Sequence, residues 1–329
     1  MTETKATLTR PSRETESMWQ ACAPAVAALG AEFPNLVGLG PDSRSIFSEF
    51  SCHSPERFID VGIAESNLVG VAAGLARAGK KAVVASLASF LVRRAAEQIR
   101  NDVCNQGMDV TFIGIGGGLA CEEFGTSHHV IEDTTVFMTM PHIHVFTPAD
   151  APEAIWAVQT AVRTAGPAYV RLGARTDPVI HTTGDRFALG EPEVLRTGTE
   201  AVIFANGICV SEALSAAAEL SRHGADCAVV NVGSLKPLAA GAIIQAARGK
   251  RVAVVVEEHA RPGPLAALVS ASLLRQSFSG AMTSLAIEPR GVAAGSRGKL
   301  LSSFGIDSPS IRDAVLRMLR RGDTPRRPA

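Results

Sequence analysis

The chain has 329 residues, which predicts two domains at about 150 residues per domain. Its composition of 46% hydrophobic and 19% charged residues supports large buried cores and excludes a disordered chain. The 32 basic and 32 acidic side chains balance, so a strongly basic surface for nucleic acid is not indicated.

The sequence also favours one cellular compartment. The most apolar runs, residues 69–76 and 252–256, are much shorter than the ~20 residues of a membrane-spanning helix. Residues 1–17 are polar and lack the apolar core of an export signal. The six cysteines are scattered without a C-x-x-C pair, which fits neither a zinc site nor a disulfide framework. We therefore expect a cytoplasmic protein.

Helical periodicity and short apolar runs alternate along the first half of the chain. The predicted helices are 19–30, 64–78, 95–104 and 151–163, and the predicted strands are 35–39, 82–85, 110–115, 144–146 and 168–172. Strands that alternate with helices of this length predict a mainly parallel sheet with helices on both faces.

The periodicity stops near residues 173–190 and then restarts. The second half has predicted helices at 211–222, 239–247, 265–275 and 310–319, and predicted strands at 201–205, 227–232, 251–257 and 284–287. We therefore predict two consecutive α/β domains with mainly parallel sheets. They span residues 18–175 and 191–320, with a linker at 176–190 and flexible tails at 1–17 and 321–329.

Polar residues near the carboxyl ends of strands are the first candidates for a site, because ligands bind there in open α/β sheets. Glu65 falls in the first turn of a predicted helix, where the helix dipole favours a carboxylate as a simple cap. The alternative is a carboxyl group in an apolar cleft that shares a proton with a ligand nitrogen. On this position alone, the capping role is favoured. Asp42 is by default an ordinary turn residue.

A second region follows the predicted strand 110–115. Its glycine run at 116–118 is not a G-x-G-x-x-G helix start, so it predicts dinucleotide binding only weakly. His128 and His129 are adjacent and project in different directions, which disfavours a metal held by this chain alone. One histidine lining a polar site on this irregular loop is the better hypothesis.

These features occur in an order that resembles the transketolase family. The resemblance covers roughly residues 19–319 and is carried by separate segments: Gly62-Ile-Ala-Glu65, Ser89-Phe90, Glu97-Gln-Ile-Arg-Asn101, Gly125-Thr-Ser-His128, Pro148-Ala-Asp150, Gly166-Pro-Ala-Tyr-Val-Arg-Leu-Gly173, Leu235-Lys-Pro237 and Val256-Glu-Glu-His259. Several motifs that agree in order are a far more specific signal than any one of them.

The chain resembles only the second half of a transketolase. Family members bind the diphosphate of thiamine diphosphate and Mg²⁺ through a Gly-Asp-Gly motif with a downstream asparagine, and Gly184-Asp185-Arg186 lacks the third glycine. The resemblance therefore implies the pyrimidine-binding and C-terminal domains of a split transketolase. A separate subunit would hold most of the diphosphate and Mg²⁺, in a heterotetramer with two copies of each chain.

The resemblance assigns roles residue by residue. Glu65 matches the carboxyl group that shares a proton with the pyrimidine nitrogen of the cofactor and so favours its imino tautomer. Phe90 matches the aromatic side chain that stacks on the pyrimidine. His128 matches a histidine at the carbonyl end of the donor sugar. Asp42 matches an acid of the subunit contact region near the cofactor.

Donor recognition departs from the family pattern. Phe124 stands where transketolases commonly have an aspartate that reads a donor hydroxyl, and His129 replaces a glutamine. Phenylalanine cannot make that hydrogen bond, which disfavours xylulose 5-phosphate as the donor. Arg93, Arg94 and Arg171 are competing candidates for an anionic group of the substrate.

The expected reaction is transfer of a two-carbon ketol unit from a ketose or ketose phosphate to an aldose, in a specialised sugar or secondary-metabolite pathway. Three alternatives stay open. They are the β subunit of a 2-oxo acid dehydrogenase, an enzyme similar to deoxyxylulose phosphate synthase, and a regulatory subunit that kept the fold without the activity. The segments 97–101 and 127–133 fit transketolases better than dehydrogenases, and the synthase normally carries all its domains on one chain.

Overall fold

The computed structural model describes residues 14–41, 45–182, 187–276, 278–289 and 294–322. The α-helices are α1 (Met18–Glu32), α2 (Ser48–His53), α3 (Glu65–Arg77), α4 (Ala88–Gln98), α5 (Asp133–Met138), α6 (Ala151–Arg163), α7 (Cys209–Arg222), α8 (Ala240–Ala247), α9 (Pro264–Leu274), α10 (Arg297–Phe304) and α11 (Ser308–Gly322). Short 3₁₀ helices span Pro55–Arg57 and Gly125–Ser127, and a π-helix at Ile99–Cys104 continues α4. Within these ranges, no helix combines the length and the apolar character needed to cross a membrane.

The strands form two main sheets and one small ribbon. The strands are β1 (Thr15–Glu16), β2 (Leu36–Gly40), β3 (Phe58–Asp60), β4 (Lys81–Leu87), β5 (Val110–Ile115), β6 (His144–Phe146), β7 (Ala168–Arg171), β8 (Asp177–Pro178), β9 (Glu193–Arg196), β10 (Ala201–Ala205), β11 (Cys227–Asn231), β12 (Ser234–Lys236), β13 (Val252–Ala260) and β14 (Ala281–Ile287).

The first sheet has the order β12-β6-β7-β5-β4-β2-β3, and all its pairs are parallel except β12 with β6. The second has the order β14-β13-β10-β11-β9 and is parallel except for β9. These two α/β units with mainly parallel sheets confirm the predicted fold class. One strand departs from the predicted division, because β12 comes from the second half of the chain and extends the first sheet.

The N-terminal segment and the start of one helix differ from the prediction. Thr15 and Glu16, inside the predicted tail at 1–17, form β1 and pair antiparallel with β8. The helix predicted at 95–104 begins seven residues earlier, directly after β4. Buried Ala88, Leu91 and Ala95 follow the helical period through that stretch, and the polar residues between them hid it in the sequence.

A buried ion network joins the two halves. Arg171 of β7 donates from Nε to Asp133 Oδ2 at 2.9 Å and from Nη2 to the Glu258 backbone oxygen at 3.1 Å. Arg297 of α10 donates to Asp177 Oδ1 at 2.8 Å and to Glu258 Oε2 at 3.0 Å. Because each of these carboxylates is removed from water, each needs a cation of the network.

A second buried network ties the linker to both halves. His181 lies between Asp150 Oδ1, 2.8 Å from its Nδ1, and Glu193 Oε2, 3.0 Å from its Nε2. Asn231 of β11 donates to Glu153 of α6. Burial opposes a charged imidazole, but the hydrogen bonds to the Asp150 and Glu193 carboxylates outweigh it and raise the pKa of His181 to about 10.

The glycine run after β5 makes room for the first network. A Cβ atom at Gly117 would overlap the side chain of Arg171, and one at Gly118 would overlap the carboxylate of Glu258. Gly118 also has a φ of 67°, in the left-handed region that glycine adopts without cost. The run therefore serves the approach of the two domains.

Gly118→Ala should lower the free energy of unfolding by about 2–4 kcal/mol, because it combines left-handed strain with overpacking against Glu258. Urea unfolding of the purified chain measures the change. Gly74→Ala is the matched control, since a Cβ there meets no atom within 4 Å and α3 continues through it. We expect that variant to be stabilised by about 0.5–1 kcal/mol. Equal stability of Gly118→Ala and wild type would contradict the packing described here.

His181→Gln should lower the free energy of unfolding by about 3–5 kcal/mol at neutral pH, the cost of leaving buried carboxylates unpaired. The folded pKa of His181, about 10, lies above the unfolded value of roughly 6.5. Its stabilisation is therefore complete below pH 6.5 and is lost as the pH rises to 10.

Urea unfolding between pH 7 and 10 tests this sign. Glu153, whose pKa burial raises to about 7, is half titrated at pH 7 and completes its titration in the lower part of the window, so the comparison of the two proteins is read above pH 8. Wild type should lose stability across the window, and His181→Gln should lose distinctly less. Parallel curves for the two proteins would show that His181 is not charged in the folded state.

Candidate active site

The site is built around a buried carboxylate at the start of α3. The chain leaves β3, turns at Gly62 with a φ of 68°, and enters α3 at Glu65. The Gly62 N–H donates to Asp60 Oδ1 at 2.9 Å and fixes this turn. Glu65 is only 2% exposed, at the helix end where peptide dipoles favour negative charge. The position explains how a carboxylate is tolerated there, and the burial requires a partner.

The partner of Glu65 is Arg94 of α4. Arg94 Nη1 lies 2.9 Å from Glu65 Oε2. The guanidinium carbon of Arg94 also lies 4.0 Å from the centroid of the Phe90 ring, one helical turn earlier on the same face. The Ser66 hydroxyl donates to the Arg94 backbone oxygen at 2.6 Å and holds the two helices together. Glu65, Phe90 and Arg94 thus form one compact group.

Residues 124–129 form a loop, the histidine loop, that packs against the same Phe90 ring. The space between this loop and the group of Glu65, Phe90 and Arg94 is called the cleft. The His128 ring packs edge-on to Phe90 at 5.2 Å between centroids and stacks on Phe124 at 4.6 Å. Its Nδ1 lies 2.9 Å from the Ser127 hydroxyl, which fixes the ring plane. The structure therefore brings together three predicted site residues, Phe90, Phe124 and His128, next to Glu65.

Arg93 holds this loop in place. It donates from Nε to Glu132 Oε1 at 2.8 Å, from Nη1 to the Ser127 oxygen at 3.2 Å and from Nη2 to the His129 oxygen at 2.8 Å. Its donors are committed to protein acceptors. Arg93 is therefore a positioning residue for the loop, and its binding of a substrate anion stays a prediction that these contacts do not favour.

His129 is buried, so its ring is not accessible from the open cleft. Neither ring nitrogen has a hydrogen-bond partner among the described residues. Burial is the main cause that lowers the pKa of His129, so the ring is neutral near pH 7. Contact of His129 with a substrate stays a prediction that this burial does not favour.

Two further predicted site residues remain, Arg171 and Asp42. Arg171 is 9% exposed, and its guanidinium bonds Asp133 and the backbone oxygens of Val130 and Glu258. Substrate binding by Arg171 stays a prediction that this geometry does not favour, because its donors already serve the domain junction. Asp42 lies outside the described residues.

The cleft fits the aminopyrimidine half of the cofactor that the sequence implies. An aminopyrimidine is flat and carries ring nitrogens, so it needs an aromatic face to stack on and a carboxyl group at its edge. Phe90 and Glu65 offer these, and a flat nitrogen-bearing group, the Arg94 guanidinium, already bridges them. The observed contacts show that Phe90 and Glu65 can hold a flat, nitrogen-bearing group between them.

The described residues that could together ligate a metal ion lie away from the cleft. Among the described residues, one group of acidic and histidine side chains has ligand atoms within 4.8 Å of one another, and it consists of Asp150, Glu153 and His181. Its members lie at the domain junction and already bond protein groups there. It is therefore part of the structural network rather than of the cleft.

Sequence reasoning missed the direct contact of Arg94 with Glu65, although a signal existed. The spacing of four residues between Phe90 and Arg94 would have placed them on one face, had the helix been predicted from Ala88. It also missed Arg297, for which no motif gave a signal. Glu258 belongs to the segment Val256-Glu-Glu-His259, and its contacts with Arg171 and Arg297 are structural.

Two family profiles match the chain. The profile described as the pyrimidine binding domain of transketolase matches residues 14–176, and that of the transketolase C-terminal domain matches residues 190–311. The chain is similar to one of the subunits of the apulose-4-phosphate transketolase of Actinobacillus succinogenes, with 34% identity over 86% of this chain and 92% of the relative. It is also similar to a 6-deoxy-6-sulfo-D-fructose transketolase subunit of a Clostridium species, with 37% identity over 68% of this chain and 70% of the relative.

A solved structure of similar length has the same fold. It is described as a split gene transketolase, inactive β4 tetramer, and it matches with a TM-score of 0.83 and 33% identity. The match covers 93% of this chain and 98% of that one.

Proposed function

The chain belongs to the transketolase family, and from that premise we propose that it is the catalytic β-type subunit of a split transketolase. The proposed reaction transfers a two-carbon ketol unit from a ketose or ketose phosphate donor to an aldose acceptor. The observation that carries the proposal is the buried carboxylate of Glu65 beside the half-buried ring of Phe90. A regulatory relative without cofactor would have no need to keep both.

The residues of the cleft have separate roles in this proposal. Thiamine diphosphate, when bound, supplies the carbanion chemistry that carries the two-carbon unit. Glu65 shares a proton with the ring nitrogen of the aminopyrimidine, and its burial keeps water from competing for that contact. Phe90 holds the ring by stacking. His128, fixed by Ser127, stands at the cleft to stabilise charge at the donor carbonyl.

A partner subunit is the second part of the proposal. Nothing in the sequence matches the Gly-Asp-Gly motif, so diphosphate and Mg²⁺ would be held mainly by another chain. Two large apolar side chains border the site in an exposed state, Ile63 at 70% and Phe124 at 56%, and a subunit that covers the cleft would bury them. The inactive β4 tetramer of a relative also supports a need for a partner. We propose two copies of each chain, with domains at 18–175 and 191–320, acting in the cytoplasm.

The donor is proposed from the site and the relatives together. Phe124 offers an apolar ring where a hydroxyl-reading acid would stand, so a donor with an ordinary hydroxyl pattern gains no hydrogen bond there. The two relatives are named for unusual sugars, apulose-4-phosphate and 6-deoxy-6-sulfo-D-fructose. We propose a donor or acceptor from a specialised sugar pathway.

Glu65→Gln in the reconstituted complex should slow proton loss from the thiazolium carbon of bound thiamine diphosphate by about 10²-fold or more, because the amide cannot share the proton. Hydrogen–deuterium exchange at that carbon, read by NMR after acid quench, measures the rate without knowledge of the donor. Glu56→Gln is the matched control, since Glu56 is an exposed carboxylate outside the cleft. Exchange at the wild-type rate in Glu65→Gln would remove Glu65 from the catalytic role.

Thermal unfolding tests the need for the partner. Ligand stabilises only the state that binds it, so thiamine diphosphate with Mg²⁺ should raise the Tm of the complex by several degrees and that of the isolated chain hardly at all. A comparable rise for the isolated chain would contradict the split site.

A further inference from the structure

Arg94 makes both contacts that the proposed function gives to the aminopyrimidine. Its guanidinium carbon lies 4.0 Å from the centroid of the Phe90 ring, and its Nη1 lies 2.9 Å from Glu65 Oε2. Guanidinium groups are flat, carry N–H donors at their edge and stack on aromatic faces. One side chain of the protein thus has the shape and the bonds of the expected ligand.

The two partners of Glu65 exclude each other. The ion pair with Arg94 uses the carboxylate form of Glu65, whereas the proposed contact needs a proton between Glu65 and a ring nitrogen. Both also use the same face of Phe90, at stacking distance. Only one flat group can occupy this position at a time.

The exposure and the few contacts of Arg94 allow its side chain to move out of the cleft. Its side chain is 47% exposed, whereas the junction arginines Arg171 and Arg297 are 9% and 13% exposed. Among the described residues, Glu65 is the only hydrogen-bond partner of the Arg94 guanidinium. Arg93, the preceding residue, makes three such bonds. The half-exposed side chain can therefore swing into solvent at the loss of one ion pair and one ring contact.

We propose that Arg94 is an internal competitor of the cofactor. It occupies the aminopyrimidine position while the chain has no cofactor, keeps the buried Glu65 carboxylate paired, and is displaced when thiamine diphosphate binds. This inference rests on the proposed function. Its consequence is that Arg94 lowers the affinity of the site for the cofactor while it stabilises the chain before loading.

The first test is the Kd of thiamine diphosphate in the reconstituted complex at saturating Mg²⁺, measured by isothermal titration calorimetry. Arg94→Ala removes the competitor and should lower the Kd about tenfold, which corresponds to about 1.4 kcal/mol. Arg100→Ala is the matched control: it removes an exposed arginine from the next turn of the same helical segment and should leave the Kd unchanged. An unchanged or higher Kd in Arg94→Ala would overturn the proposal.

A conservative variant, Arg94→Lys, distinguishes the loss of the competing group from a general loss of folding. Arg94→Lys keeps a charge beside Glu65 but gives up the flat stacking group, so its Kd should fall between those of wild type and Arg94→Ala. A Kd for Arg94→Lys above that of wild type would count against competition at the Phe90 face.

The second test measures the interaction between Arg94 and Glu65 in the chain without cofactor. Urea unfolding of the isolated chain should show that Arg94→Ala and Glu65→Gln are coupled in a double-mutant cycle, because each removes the partner of the other. Additive effects would mean that the ion pair does not stabilise the chain before loading, and would overturn that part of the proposal.

The outcomes separate this inference from the function on which it rests. If the wild-type complex binds thiamine diphosphate and Arg94→Ala binds it no better, the proposed function stands and the competitor role falls. If the wild-type complex does not bind the cofactor, the proposed function falls, and the competitor role falls with it even where the double-mutant cycle shows coupling.

Discussion

The structure depends on how it pairs the carboxylates that it removes from water. At the domain junction, Glu258 and Asp177 are paired with Arg297, which is itself almost fully buried. In the cleft, Glu65 is as deeply buried but is paired with Arg94, which remains half exposed. A carboxylate whose cation is buried with it is a fixed structural element. A buried carboxylate whose cation can return to solvent can exchange that cation for a ligand. This difference distinguishes Glu65 in the site from the carboxylates of the domain junction.

Much of the fold could be predicted from periodicity alone. The bounds of β5, α6 and β10 match the predicted segments residue for residue, because each is a regular apolar pattern with clear ends. The short edge strands β3, β9 and β12 were missed, because none of them has a pattern long enough to reveal a period. Where β12 pairs is set by tertiary contact with the first sheet, which no local pattern contains.

The site could be predicted in part. Family resemblance brought Glu65, Phe90 and His128 forward, and the structure places them around one cleft. The same resemblance could not tell a site motif from a structural one. Arg171 belongs to a conspicuous segment, yet its partners are up to 87 residues away along the chain, and its role follows only from the packing of two domains. Ion pairs of such separation leave no periodic trace in the sequence.

The two adjacent arginines of α4 show why exchange in the cleft need not disturb the rest of the site. Successive side chains of a helix diverge by about 100°. Arg93 therefore reaches the histidine loop, and Arg94 reaches the start of α3. The same helix carries Phe90, and its apolar face, with Leu91 and other buried residues, is packed in the core. Both walls of the cleft are thus fastened to one rigid element through separate side chains. Movement of Arg94 leaves the three hydrogen bonds of Arg93 intact, so a ligand can replace the guanidinium while the loop of His128 keeps its place.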